Sequence, residues 1–232
     1  EAGRGGEAST TRTLRKLSRK RPVRIHLATN QNRNRDPEAH RAGDSDERLL
    51  IEFGGLWDEA EAIWDRHQNA PAFEGYVSAD YPAVFDSLAR LRGRVLSVLE
   101  WGSGLGVVTI MASRMGFEAC GIEVESDLVE YSEGLAKVYG PQARFAQGSF
   151  IPDEFECRPA DGSDAHRTIS DVPAAYSELD MELRDFDLVY AYPWPDEAVL
   201  FRNIMRRCGR EGALLLIYDA REGIQLVRRA SR

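Results

Sequence analysis

A short acidic and glycine-rich stretch holds the residue types best suited to chemistry in this chain. It reads Glu100-Trp101-Gly102-Ser103-Gly104-Leu105-Gly106, and it lies between an apolar strand-like segment and an apolar helical run. Glycines allow a sharp turn and let a ligand approach the backbone, because they carry no Cβ. A strand, a glycine-rich turn and a helix N-terminus form a nucleotide-type crevice at the carboxyl edge of a parallel sheet. The stretch therefore predicts a site of that kind.

The spacing of the glycines distinguishes between kinds of nucleotide. Dinucleotide-binding turns follow G-x-G-x-x-G, whereas here Gly106 comes one residue too early and Val107 stands where the third glycine would be. A pyrophosphate would also meet the negative charge of Glu100 just ahead of the turn. A carboxylate suits a ligand that carries an ammonium or a sulfonium and no phosphate. An NAD(P)-dependent oxidoreductase is thus the less favoured alternative.

The elements around this stretch predict one α/β domain. Apolar strand-like runs alternate with amphipathic helical runs along 93–232. Strands that are apolar throughout are typical of a parallel sheet covered on both faces. We expect a Rossmann-like three-layer α/β/α sandwich with a mostly parallel sheet, preceded by a helical cap over 46–92. The expected strands are 95–99, 117–124, 143–146, 185–191 and 212–219, with an edge strand at 224–228, and the expected helices are 46–68, 82–91, 107–115, 127–139, 173–183 and 196–208.

Charge is distributed unevenly along the chain. Residues 1–48 carry 12 Lys and Arg against 7 Asp and Glu, and the remaining residues carry 18 against 31. Segment 1–45 lacks apolar periodicity, and such a composition cannot bury enough surface to offset chain entropy. We therefore expect a basic, disordered tail before a domain at 46–232. The acidic body disfavours nucleic-acid binding, which needs a basic surface, so only the tail is a candidate for such contacts.

No further pattern indicates a metal site, a disulfide framework or a membrane span. Cys120, Cys157 and Cys208 are scattered and lack CxxC spacing, so we expect three free thiols in a reducing compartment. No apolar run approaches the roughly 18 residues that a membrane span needs. The first residues also lack the apolar core of a secretory signal. The expected location is the cytoplasm.

Two motifs in order resemble those of the class I S-adenosylmethionine-dependent methyltransferases. The acid followed by G-x-G-x-G is matched by 100–106, and the acid that closes the second strand is matched by Gly121-Ile122-Glu123. The resemblance spans roughly 73–219 and implies S-adenosyl-L-methionine as the cofactor. It implies that the acid at the end of strand two holds both ribose hydroxyls, which two acceptor oxygens can do. The implied cofactor-binding residues are Glu100, Gly102, Ser103, Gly104, Gly106, Glu123, Ser149 and Tyr76.

The third motif departs from the family pattern. It usually has an acid after a glycine, near the adenine, whereas this chain has Gly148-Ser149-Phe150. We expect Ser149 to hydrogen-bond the adenine and Phe150 to pack on it. Tyr76 and Tyr81, which precede the first strand, are expected to close over the methionine end of the cofactor.

The fourth motif points to the acceptor. The fourth strand ends in Tyr192-Pro193-Trp194-Pro195, at the edge where the family holds the methyl group's target. Amine-directed members have an Asn or Asp ahead of their prolines, where this chain has Ala191 and Tyr192, and this departure argues against DNA adenine methylation. As catalytic residues we expect Tyr192 to orient a nucleophile and Trp194 to line the pocket.

The resemblance does not name the acceptor. Asp196 and Glu197 could attract a basic substrate, or they could simply suit the dipole at a helix N-terminus. Our first hypothesis for the acceptor is a protein lysine or another amine, small-molecule amines included. A methyltransferase-like binding module without catalytic activity is the alternative.

Overall fold

The computed structural model describes residues 37–157, 168, 172–195, 197–219 and 222–230, and over 37–44 it describes the backbone alone. The chain divides into two units, 1–42 and 43–232. Of the first unit, only the beginning of one helix lies within the described residues, so most of the expected basic tail lies outside them. The second unit holds the sheet and its helices.

Within the described ranges, six strands and six α-helices follow one another in the order that the sequence predicts. Short 3₁₀ turns occur at Pro71–Phe73 and Leu183–Asp185. In chain order the elements are α1 (Pro37–His67), α2 (Tyr81–Leu91), β1 (Ser97–Trp101), α3 (Val107–Arg114), β2 (Glu118–Glu123), α4 (Ser126–Tyr139), β3 (Arg144–Gln147), α5 (Tyr176–Leu179), β4 (Leu188–Ala191), α6 (Ala198–Cys208), β5 (Leu214–Asp219) and β6 (Gly223–Arg228).

The strands form one sheet in the order β3-β2-β1-β4-β5-β6. The first five are parallel, and β6 pairs with β5 in the antiparallel direction as an edge strand. From β1 the chain first builds outward to β2 and β3 and then returns to the other side of β1. The strand order therefore reverses between β1 and β4, and ligands bind at the carboxyl ends of strands at such a point.

Both faces of the sheet are covered by helices. Residues such as Val98 and Leu188 pack with α1 to α4 in one core. Leu99 and Val189, the next residues along the same strands, pack with α5 and α6 in the other. All five residues of β1 are buried. The predicted three-layer α/β/α sandwich is confirmed, and no helix within the described ranges is long and apolar enough to cross a membrane.

Two element predictions need correction. Helix α1 begins at Pro37 rather than at residue 46, and proline is well suited to a helix start because its φ is already helical. The helix expected over 173–183 is shorter, because Asp180 has a φ of 52° and ends α5. A 3₁₀ turn follows it, so that β4 begins at Leu188 rather than at 185. The other strand ends agree with the prediction to within three residues.

Helix α2 begins at Tyr81, one residue before the predicted start at residue 82, and Asp80 is its N-cap. The carboxylate of Asp80 accepts a hydrogen bond from the Ala83 N–H at 3.1 Å, which satisfies one of the free amides at the helix N-terminus. This cap fixes the direction in which the chain enters the helix.

Removing this cap should destabilise the domain without unfolding it. We expect Asp80→Ala to cost about 1 kcal/mol, which lowers Tm by about 2–4 °C in a domain of this size. Thermal unfolding followed by circular dichroism measures the change. The matched control is Asp86→Ala, which removes an exposed acid from the same helix; equal Tm values for the two variants would contradict the role of the cap.

Candidate functional site

The glycine-rich turn leaves β1 at the point where the strand order reverses. Gly102, Gly104 and Gly106 have φ values of 65°, 53° and 70°, in the left-handed region that favours glycine. A Cβ at Gly102 would meet nothing within 4 Å, so the backbone there borders open space. A Cβ at Gly104 would come within 2.6 Å of the Tyr76 ring. The turn therefore has one glycine facing open space and another under a tyrosine.

Glu123 links the end of β2 to this turn. Its carboxylate accepts hydrogen bonds from the Gly104 N–H at 2.7 Å and from the N–H groups of Val124 and Glu125 at 2.8 and 3.1 Å. The side chain is buried. Burial raises the pKa of Glu123, and the backbone hydrogen bonds oppose that rise. The two sequence motifs are thus in direct contact, which motif order alone did not require.

Glu100 is buried beneath the same turn and faces α3. Its Oε2 accepts hydrogen bonds from the N–H of Thr109 at 2.8 Å and from the Thr109 hydroxyl at 2.6 Å. Burial raises the pKa of Glu100 to about 8, the Thr109 bonds oppose that rise, and the nearby Glu123 carboxylate adds to it. Glu100 is therefore mainly protonated at pH 7. Thr109 is a site-supporting residue that sequence reasoning missed.

Two serines from the predicted site lie in different surroundings. The N–H of Ser103 donates to the carbonyl of Ile122 at 2.9 Å, and its buried hydroxyl has no hydrogen-bond partner within the described residues. The hydroxyl of Ser149 accepts from the N–H of Ile151 at 3.1 Å, within its own loop. Phe150 stacks on Trp101 with ring centroids 4.8 Å apart. Ser103 thus has an unpaired hydroxyl, whereas Ser149 and Phe150 are already engaged.

The segment before α2 lies over the glycine turn. The hydroxyls of Tyr76 and Tyr81 are 3.2 Å apart and hydrogen-bonded. The space in which a Cβ of Gly75 would lie is filled by the Trp194 ring, just as that of Gly104 is filled by Tyr76. The structure therefore brings Trp194, from the end of β4, to the segment that covers the turn.

Tyr192 lies on the β5 side of the site. Its half-buried ring meets the ring of Tyr218 edge to face, with centroids 4.8 Å apart. Burial is the main cause that raises the pKa of Tyr192, so its hydroxyl stays protonated at neutral pH. The two expected catalytic residues thus flank the end of β4 on different sides, Trp194 towards Gly75 and Tyr192 towards Tyr218.

Of the two acids that follow the fourth motif, the structure describes Glu197 alone. Glu197 is 5% exposed and accepts hydrogen bonds from the N–H and the hydroxyl of Thr168. It therefore does not present a free carboxylate to a basic substrate, contrary to the sequence-based suggestion. Asp196 lies outside the described residues.

The structure adds one residue that the sequence did not single out. Tyr190 lies on β4 directly beside Glu100 in the parallel pairing, and its hydroxyl is buried with no partner within the described residues. An isolated tyrosine in an apolar strand reads as a core residue, so only the strand order could reveal its position. No group of three or more His, Cys, Asp or Glu in the described part of the chain could hold a metal ion.

Comparisons with known proteins find similarity in structure alone. No protein-family model and no curated protein matches the sequence. An RNA methyltransferase from Salinibacter ruber, solved with S-adenosyl-L-homocysteine, is 18% identical with a TM-score of 0.48, over 67% of this chain and 95% of that one. A putative caffeoyl-CoA O-methyltransferase from Staphylococcus aureus is 12% identical with a TM-score of 0.44, over 70% and 72%.

A third structure, a SAM-dependent methyltransferase from Thiobacillus denitrificans with S-adenosyl-L-homocysteine, is 15% identical with a TM-score of 0.39, over 67% of this chain and 54% of that one. All three are described as methyltransferases, the class that the two sequence motifs resemble. At this level of identity the likeness concerns the fold alone. The function is inferred from the geometry of the site itself.

The buried carboxyl of Glu100 should make stability depend on pH. The folded chain raises its pKa from 4.5 to about 8, so the folded state holds a proton that the unfolded state has lost, and stability falls as pH rises through this window. Glutamine does not titrate, and its oxygen can still accept from Thr109. We expect the Tm of Glu100→Gln, relative to that of the unchanged protein, to increase from about pH 5 to about pH 9.

Thermal unfolding at several pH values, without added ligand, measures this difference. The matched control is Glu133→Gln, an exposed acid on α4, for which the difference in Tm should stay nearly constant. A pH-independent difference for Glu100→Gln as well would show that Glu100 is not a proton-binding buried acid.

Proposed function

We propose that this chain binds S-adenosyl-L-methionine at the glycine-rich turn and transfers its methyl group to an acceptor. The observation that carries the proposal is the pair of buried acids, Glu100 and Glu123, that lie under and beside one glycine turn at the reversal of strand order. Burial is the main cause that raises the pKa of Glu100, and Glu123 adds to it, because a charge on one acid opposes ionisation of the other. A cationic ligand relieves this repulsion, whereas a pyrophosphate would increase it.

Three features of the turn fit the adenosyl cofactor. The backbone at Gly102 borders open space, which allows close approach of a ligand. The buried hydroxyl of Ser103 has an unused donor and acceptor, and polar groups of this kind are normally paired in folded proteins. Glu123, at the end of β2, has two carboxylate oxygens with about four lone-pair positions; three of these accept backbone N–H groups, so ribose hydroxyls would take the fourth and replace one of the backbone bonds. None of Gly102, Ser103 and Glu123 carries a positive charge that would favour a phosphate, and the cofactor has no phosphate.

The proposed reaction needs positioning more than acid–base chemistry. When bound, S-adenosyl-L-methionine supplies a methyl group on a sulfonium. The acceptor's lone pair would form the new bond to that methyl as the sulfur–carbon bond breaks, and the electron pair of the broken bond would stay on sulfur. Holding the two reactants in line accounts for much of such a barrier. Glu123 and the turn would hold the cofactor, and Tyr76 would cover it. Tyr192 and Trp194, at the end of β4, would orient the acceptor.

The proposed acceptor is an amine, either a protein lysine or a small molecule. The support is electrostatic and aromatic: the site holds two buried acids, and the rings of Tyr192 and Trp194 flank the end of β4. Aromatic faces attract cations such as methylammonium groups. An amine must reach the methyl group uncharged, and its proton is released to solvent. The buried Glu197 contributes nothing to this choice.

Other parts of the proposal extend beyond the site. We propose a domain over 46–232 that acts in the cytoplasm, and we propose the basic segment 1–45 as the part of the chain suited to nucleic-acid contacts, because Lys and Arg outnumber Asp and Glu there, whereas Asp and Glu outnumber them in the rest of the chain.

A binding module without catalytic activity is the second candidate. The observation that favours it is the third motif, which lacks an acid and whose Ser149 hydroxyl is already bonded to the N–H of Ile151. An oxidoreductase is disfavoured, because Val107 stands where a dinucleotide-binding turn has its third glycine. Isothermal titration calorimetry with S-adenosyl-L-methionine, S-adenosyl-L-homocysteine and NAD separates these functions. We expect both sulfur ligands to bind and NAD not to bind.

Two results of these measurements would argue against the proposed enzyme. If neither sulfur ligand binds, the proposed function is wrong. If S-adenosyl-L-methionine binds but its radioactive methyl group is not transferred to any component of a cell lysate, the binding module is favoured over the enzyme.

The role of Glu123 can be tested by substitution. We expect Glu123→Ala to weaken S-adenosyl-L-homocysteine binding at least tenfold, about 1.4 kcal/mol, because it removes charge-assisted hydrogen bonds to the ribose. Calorimetric titration gives the dissociation constants. Glu125→Ala is the matched control, since it removes an exposed acid two residues away. Unchanged affinity in Glu123→Ala would mean that the ribose lies elsewhere.

A further inference from the structure

Tyr190 combines deep burial with an unused polar group. The residue is 2% exposed, and its hydroxyl has no hydrogen-bond partner within the described residues. The fold pairs its other deeply buried tyrosine fully: the hydroxyl of Tyr176 accepts from Trp101 Nε1 at 3.2 Å and donates to the Phe150 carbonyl at 2.6 Å. Because a buried hydroxyl without a partner is costly, Tyr190 is expected to gain one from a ligand.

The surroundings of Tyr190 belong to the proposed cofactor site. In the parallel pairing of β1 and β4, Tyr190 lies beside Glu100, and side chains at paired positions point to the same face of a sheet. Two residues further along the chain, just after β4, Tyr192 contacts Tyr218. Tyr76, which is hydrogen-bonded to Tyr81, lies above the adjoining glycine turn. Tyr190 therefore lies next to Glu100 at the base of the proposed site.

The phenol of Tyr190 is a hydrogen-bond donor at neutral pH. Burial raises its pKa well above 10, and the nearby Glu100, Tyr192, Tyr218 and Tyr76 add to this effect. A protonated phenol that lacks a partner is best matched by an acceptor-only group such as a carboxylate, and Glu100 does not repel that charge while its own carboxyl is protonated.

The order of the strands indicates which part of the cofactor lies at Tyr190. If Glu123 on β2 holds the ribose and the third motif, which follows β3, lies at the adenine, the rest of the cofactor would extend towards β1 and β4, because β3 and β1 lie on opposite sides of β2. Neighbouring strands are about 4.8 Å apart, so Tyr190 lies roughly 10 Å across the sheet from the ribose-binding strand. The amino-acid end, with its carboxylate, is attached to the ribose on the side away from the adenine and would therefore lie in that direction.

We propose that the Tyr190 hydroxyl donates a hydrogen bond to the amino-acid carboxylate of the bound cofactor. This assignment rests on the proposed function, since it requires an adenosyl amino acid in the site. Tyr190 is then a binding residue for one end of the ligand, and the adenosine end does not depend on it.

Tyr190→Phe tests this assignment with two ligands that differ at that end. S-adenosyl-L-homocysteine carries the amino-acid group, whereas 5′-methylthioadenosine keeps the adenosine and the sulfur but lacks it. We expect the variant to bind S-adenosyl-L-homocysteine about tenfold more weakly, the usual effect of losing a hydrogen bond to a charged group. Its affinity for 5′-methylthioadenosine should stay unchanged. Without ligand its Tm should not fall, because no paired hydroxyl is removed.

The matched control is Tyr176→Phe, which removes a buried but paired hydroxyl. We expect it to lower Tm and to leave the ratio of the two affinities as in the unchanged protein. The same ratio in Tyr190→Phe would overturn the inference, whether both affinities stayed constant or both fell together. If the unchanged protein binds neither ligand, the proposed function fails, and the inference fails with it before any variant is made.

Discussion

Two acids buried side by side at the ends of adjacent strands are the constraint on which this site depends. Each would be costly alone, because burial disfavours the charged form of an acid. Thr109 satisfies one oxygen of Glu100, and three backbone N–H groups satisfy Glu123. Burial, together with repulsion from Glu123, still raises the pKa of Glu100 to about 8. A site built in this way is suited to a cation and is poorly suited to a phosphate.

The fold explains how these acids meet. The chain reverses its strand order at β1, so that β1 has β2 on one side and β4 on the other. Glu100 lies on β1 in the middle of this arrangement, Glu123 lies at the end of β2, and Tyr190 lies on β4. The segment that carries Tyr76 then lies over the turn between them. A single sheet edge thus collects groups that are far apart in sequence.

Much of this arrangement could be predicted from the sequence. Apolar strands alternating with helices predict the parallel sheet, and the spacing of the glycines with the two acids predicts the turn and the end of β2. Tyr190 could not be predicted, because its importance depends on which strand pairs with β1. The burial of Glu197 could not be predicted either, since Thr168 reaches it from 29 residues away in sequence. Sequence patterns predict local geometry, whereas contacts between segments far apart in sequence are seen only in the folded structure.

The central claim, that the buried acids select a cation, is tested most directly by comparing two ligands across pH. S-adenosyl-L-methionine carries a sulfonium and S-adenosyl-L-homocysteine a neutral sulfur, and the two share an adenosine and an amino-acid group. As pH rises from about 7 to about 9, Glu100 becomes charged, so the affinity for the sulfonium relative to the neutral ligand should rise in calorimetric titrations. The ratio should stay flat in Glu100→Gln. A constant or falling ratio in the unchanged protein would contradict the claim.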